Sequence, residues 1–146
     1  TGCGNQIKYF AVTAPESAYA PGDEVVVTIT LNNVENVAMF DLRVDFDPAV
    51  LTLSEAEEGD VKDFIFLTNP GENSVLINAF TATTYDFSSE TVATLYFTVN
   101  EGASGTTEIK CTATMFDVGL TDSGDELKEL VKGDNIASSL SLKIAG

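Results

Sequence analysis

The sequence predicts an all-β domain, a sandwich or barrel, from three observations. Apolar and polar residues alternate with a period of two through much of the chain. In Phe40-Asp41-Leu42-Arg43-Val44-Asp45-Phe46 the four apolar side chains share one face of an extended strand. Turn residues interrupt this alternation at short intervals, as in Pro21-Gly22-Asp23, Asp47-Pro48 and Asn69-Pro70-Gly71. The chain of 146 residues suits one domain with a sizeable core, so no disulfide lattice is needed for stability.

About nine short strands follow from this pattern. They run from Ile7 to Val12, Glu24 to Asn32, Met39 to Asp45, Leu51 to Glu55, Phe64 to Thr68, Ser74 to Phe80, Thr91 to Val99, Thr107 to Phe116 and Ser138 to Ile144. Proline lacks the ladder donor, so Asp47-Pro48 ends the third strand. An acidic loop through Glu57, Glu58 and Asp60 and a second loop over residues 81–90 complete the connections. One segment near 123–132 reads as helical: Ser123-Gly124-Asp125-Glu126 has capping-box spacing, Leu127, Leu130 and Val131 share a helical face, and Gly133 stands where a helix would stop. Residues 1–6 read as a lead-in and 7–146 as one domain.

Seven basic against 23 acidic residues give a formal charge of −16. That balance argues against nucleic acid and anionic membrane surfaces, which reward Lys and Arg. No apolar run is long enough to span a bilayer. Thr1-Gly2-Cys3 resembles the end of a bacterial lipoprotein signal, with a plain linker as the favoured alternative. Cys111 lies on the apolar side of an alternating strand and reads as a small buried hydrophobe; spacing does not imply a Cys3–Cys111 bridge.

The available chemistry is narrow. The chain has no histidine, which removes the Ser-His-Asp and Cys-His nucleophilic arrangements and the commonest metal-binding side chain. Asp45 and Asp47 project from one strand face about 7 Å apart, a spacing a glycosidase could use, but a small sandwich with short loops offers little material for a cleft. Asp122 to Glu126 lacks EF-hand spacing, and Asp41, Asp45 and Asp47 stand in line rather than converging, so no metal site is expected. Sugar stacking needs aromatic platforms. Tryptophan is absent, and Tyr85 with Phe87 is the best candidate pair, with internal packing of the loop as the equal alternative. The surface that stands out is apolar. If Val75, Ile77 and Ala79 face the core, Leu76, Asn78 and Phe80 face outward; Phe64 to Thr68 is apolar on both faces, and Met39 joins them. An apolar patch rimmed by Asp41, Asn69 and Asn78 is the pattern of a protein-binding surface.

Ala20-Pro21-Gly22-Asp23-Glu24-Val25, Leu31-Asn32-Asn33-Val34, Phe40 to Leu51 with its Asp-Pro-Ala-Val-Leu turn, and Val92 to Val99 together resemble a cohesin module, the receptor half of the cohesin–dockerin pair. The resemblance implies a nine-stranded jelly-roll β-sandwich and a non-catalytic, monomeric, extracellular module on a scaffold or cell surface. Such a module would capture calcium-loaded dockerins to assemble glycan-degrading enzymes and would need no cofactor itself. A carbohydrate-binding module is the alternative. The resemblance places Met39, Asp41, Leu67, Asn69, Leu76, Asn78, Phe80 and Thr81 at contact positions, with Asp41 as hydrogen-bond acceptor and Phe80 as the largest anchor. Many members carry a polar residue where Met39 stands and an acid near Thr81; this chain has neither. The stretch 122–135 is also longer and more helical than the resemblance implies.

Overall fold

The computed structural model describes residues 3–6, 10–59, 61, 64–118 and 137–145. The strands are β1 (Cys3–Gln6), β2 (Phe10–Ala14), β3 (Ala18–Tyr19), β4 (Glu24–Asp45), β5 (Leu51–Glu58), β6 (Ile65–Pro70), β7 (Ser74–Val99), β8 (Gly105–Val118) and β9 (Ala137–Ile144). All the described secondary structure is β, and the helical segment expected near 123–132 lies outside the described residues.

Two strands organise the others. β4 is 22 residues long and β7 is 26, and they pair antiparallel from Glu24↔Thr98 to Asp45↔Ser74. The first part of β4 and the last part of β7 are flanked by β2 and β5, with β1 beside β2. The last part of β4 and the first part of β7 are flanked by β8 and β6; β9 follows β8, and β3 pairs parallel with β9. The hydrogen-bonded sheet therefore folds over at the middle of its two longest strands and faces itself as a sandwich. Val27, Ile29, Leu95 and Phe97 from one layer meet Phe40, Leu42, Val75, Ile77, Ile109 and Leu142 from the other in a single buried core.

This differs from the sequence expectation in a specific way. The predicted second and third strands are one strand, as are the predicted sixth and seventh, and the loop expected over 81–90 is itself β structure. Its partner is the bend of β4, through Val34↔Phe87 and Val37↔Tyr85. Pairing across the bend satisfies backbone groups that a loop would leave to water. Register shifts at Val34/Val37 and Val37/Met39 let the pair turn, since a bulge bends and twists the strand that carries it. A further shift leaves Val92 between the pairs Ile29↔Ala93 and Thr30↔Thr91, so Val92 and Ala93 are both buried and simple alternation fails there. Glu57 and Glu58 belong to β5 rather than to an acidic loop, and Cys3–Gln6, expected as lead-in, pairs with β2.

The turns follow from their residues. Asp23 Oδ2 accepts from the Ala20 N–H at 2.9 Å, and Gly22 adopts a φ of 91°, which suits glycine. Asp47 Oδ1 accepts from the Ala49 N–H at 2.9 Å, an Asx turn that carries β4 into β5. Phe40 lies at the centre of an aromatic cluster, with ring centroids 5.9, 6.3 and 6.2 Å from Phe64, Phe66 and Phe87. Phe40→Ala is expected to cost about 3–5 kcal/mol in urea unfolding, the usual range for a fully buried aromatic.

Cys111 is free and fully buried. Burial, and secondarily the charge of Asp45, pushes its thiol above the ordinary range. The thiol should resist a disulfide reagent in the native protein and react on unfolding. The fold holds the neutral form, so this group's contribution to stability is complete below the unfolded thiol's pKa and falls as pH rises past about 8.5. A urea series across that range measures the loss.

Candidate binding face

The outer surface of the layer β6–β7–β4–β8 is built by alternation. Along β4, Phe40, Leu42 and Val44 are buried, which turns Met39, Asp41, Arg43 and Asp45 outward. Along β7, Val75, Ile77 and Ala79 are buried, which turns Leu76, Asn78 and Phe80 outward. In β6, Phe66 is buried while Ile65 and Leu67 are exposed.

Strand register arranges these side chains in rows. The first row is Ile65–Phe80–Met39, the second Leu67–Asn78–Asp41 and the third Asn69–Leu76–Arg43. Met39, Ile65, Leu67, Leu76 and Phe80 are the exposed large hydrophobic residues among the described part of the chain, and all five lie in this grid. Scattered exposed apolar residues are ordinary, whereas a contiguous set on one sheet face marks an interaction surface. The outer surface of the other layer is polar by comparison, with Thr28 opposite Thr94 and Tyr96 opposite Glu55.

One polar couple sits in the middle row. Asn78 Nδ2 donates to Asp41 Oδ1 at 2.7 Å, and both residues are half-buried. The Thr114 hydroxyl donates to the Asp41 carbonyl at 3.2 Å, beside a register shift in the β4–β8 pairing. At the lower end Arg43 Nε donates to Asp45 Oδ2 at 3.1 Å across the strand surface. This exposed pair is worth little to stability. It does restrict where the guanidinium points.

Seven of the eight candidate residues from the sequence, Met39, Asp41, Leu67, Asn69, Leu76, Asn78 and Phe80, come together in these rows. Thr81 does not join them: it follows Phe80, out of phase with the outward set, and its hydroxyl accepts from the Thr83 N–H at 3.5 Å. Ile65 was missing from the sequence-based set although it is 55% exposed. The alternation of Ile65-Phe66-Leu67 already carried that signal, because Ile65 has the same parity as Leu67.

The competing chemistries fare differently. Tyr85 and Phe87, the candidate sugar platform, pack edge to face at 4.9 Å, and Phe64 contacts both rings. Phe87 is buried, so the pair forms part of the interior instead of a stacking surface. Asp45 is engaged by Arg43, and Asp47 holds its own turn. A cleft of about 230 Å³ lined by Phe46, Pro48, Leu51, Leu53, Pro70 and Glu72 holds one carboxylate, where glycoside hydrolysis uses two. Among the described residues no group of three or more His, Cys, Asp or Glu is placed to hold a metal ion.

The chain matches the family model of the cohesin domain over residues 10–131. Similar solved structures include the cohesin module from a Clostridium perfringens family 33 glycoside hydrolase, with a TM-score of 0.63 and 10% identity over 99% of this chain and 98% of that one. The non-cellulosomal cohesin of the archaeon Archaeoglobus fulgidus gives a TM-score of 0.61 and 14% identity over 95% and 93% of the two chains. A type I cohesin–dockerin complex from Clostridium thermocellum gives 0.58 and 17% identity over 73% and 87%. Comparison with the curated proteins found no match.

If the apolar rows serve contact rather than folding, removing one of them should leave stability almost unchanged. Leu67→Ser is expected to shift the free energy of unfolding by no more than about 0.5 kcal/mol, in contrast to Phe40→Ala. Parallel urea titrations of the two variants make the comparison.

Proposed function

Because the chain belongs to the cohesin family, we propose that the outer face of β6, β7, β4 and β8 captures a dockerin module. The observation that carries this reading is the confinement of the exposed large hydrophobic residues, among the described part of the chain, to three rows around the Asp41–Asn78 couple. Phe80 and Met39, with Ile65 and Leu67 beside them, supply apolar area that association would remove from water. Asp41 supplies the polar register. Asn78 already occupies one carboxylate oxygen, which orients the group and leaves Oδ2 to accept a donor from the partner.

On this reading the module is non-catalytic. It binds a calcium-loaded dockerin and so places a glycan-degrading enzyme on an extracellular scaffold or surface. The likeness to a solved cohesin–dockerin complex supports the partner class. The carbohydrate-binding alternative has lost its aromatic pair to the core, and no other observation favours it.

The test is titration with a panel of calcium-loaded dockerin modules. The double variant Asp41→Ala, Phe80→Ala should lose at least about a hundredfold in affinity, since buried anchors at such interfaces contribute about 2 kcal/mol or more each. Undiminished capture by that variant would remove this face from consideration. Calcium chelation should abolish binding while the thermal melting of this chain stays unchanged.

A further inference from the structure

The charges along the outward side of β4 alternate: Asp41, Arg43, Asp45. Two groups in this series remain available to a partner. Asp41 keeps Oδ2, since the bond it accepts from Asn78 goes to Oδ1. Arg43 keeps both Nη groups, since its bond to Asp45 uses Nε. The Nε bond engages one edge of the guanidinium, and the edge formed by the two Nη groups remains as a planar pair of donors. Planar donors of this kind suit a carboxylate bound through two parallel hydrogen bonds.

Arg43 is unusual in this chain. The net charge is −16, and Arg43, Lys110 and Lys143 are the cations whose side chains are described. Two of these three stand together at one end of the apolar grid. Lys110 lies opposite Asp45 on β8, diagonal to Arg43, and is exposed. Glu108, the next outward residue of β8, marks where the surface becomes acidic again. The only described pair of neighbouring cations therefore borders the face that would meet a partner, beside Leu76 and Asn69.

We infer that Asp41 and Arg43 select a partner carrying a complementary couple, a hydrogen-bond donor or cation and a carboxylate, and that this couple fixes one docking direction. The inference rests on the dockerin reading above. Outward residues of a strand repeat about every 6.8 Å. Side chains four apart on a helix repeat about every 6 Å, so a helix can present a cation and an acid in matching positions. Turning the partner by 180° would set its acid against Asp41 and its cation against Arg43. Like-charge contacts of that kind are what suppress wrong partners and wrong orientations. The apolar rows have no such directionality, so affinity and direction come from different residues.

A displayed library of dockerin modules, varied at exposed helical positions and selected in calcium, tests this. Clones enriched on the native chain should carry Asp or Glu about one helical turn from a Lys, Arg, Ser or Asn. Their affinity should fall about tenfold or more on Arg43→Glu and less on Arg43→Gln. Replacing the clone's acid by Lys should restore binding to Arg43→Glu, a result that a merely structural role for Arg43 would not give. Binders with no acid preference, whose affinity for both variants stays within about twofold of native, would overturn the inference and leave the dockerin reading intact. If no calcium-dependent clone is enriched on the native chain, both fall. Matching melting curves for the two variants show that any loss is a loss of contact.

Discussion

The antiparallel pairing of β4 with β7 is the constraint on which the rest of the structure depends. It runs from Glu24↔Thr98 to Asp45↔Ser74, and every other strand except β1, β3 and β9 is hydrogen-bonded directly to one of these two. Because both strands continue through the fold, the two layers are not independent sheets brought together by packing alone. The bulges at the bend set the angle between the layers, and the register beyond them decides which residues become core. A one-residue slip past the bend would bury Asp41 and expose Phe40 and Leu42, so the hydrophobic pattern and the pairing enforce one another.

Much of this was legible in the sequence. Phe40, Leu42, Val44 and Phe46 were identified as core by alternation alone, and the same argument put Leu76, Asn78 and Phe80 outside. The cohesin family was identifiable from the strand motifs and the Asp-Pro turn. The misplaced features share one physical cause: alternation describes a strand locally and does not register an extra residue. Val92 and Thr114 each sit at a shift where the partner strand has no matching residue, and the bend over 32–39 and 81–90 hides its pairing among polar side chains. The Asp41–Asn78 bond joins residues 37 apart in the chain, which no local pattern reveals. Thr81, placed with the contact residues by resemblance, follows Phe80 and lies outside the three rows.

Solubility and apolar exposure are reconciled by how the charge is distributed. A patch containing two side chains more than half exposed, Ile65 and Leu67, would invite self-association on a neutral protein. Here the chain as a whole carries a net charge of −16, and like charge opposes self-association. β6 itself carries no charge from Ile65 to Pro70. Its protection as an edge strand comes from the proline at its end and from the field of the whole molecule.

The interleaving of inward and outward residues on β4 also has an evolutionary consequence. Met39, Asp41 and Arg43 alternate with Phe40, Leu42 and Val44, so neighbours in sequence answer to separate demands. On the proposed dockerin reading, a substitution at an outward position alters the contact face while the inward side chain one residue away keeps its packing, because successive side chains of a strand point to opposite faces. If these odd-numbered positions meet the partner as proposed, its preference can drift there with little effect on folding, while the even-numbered ones preserve the fold that displays them.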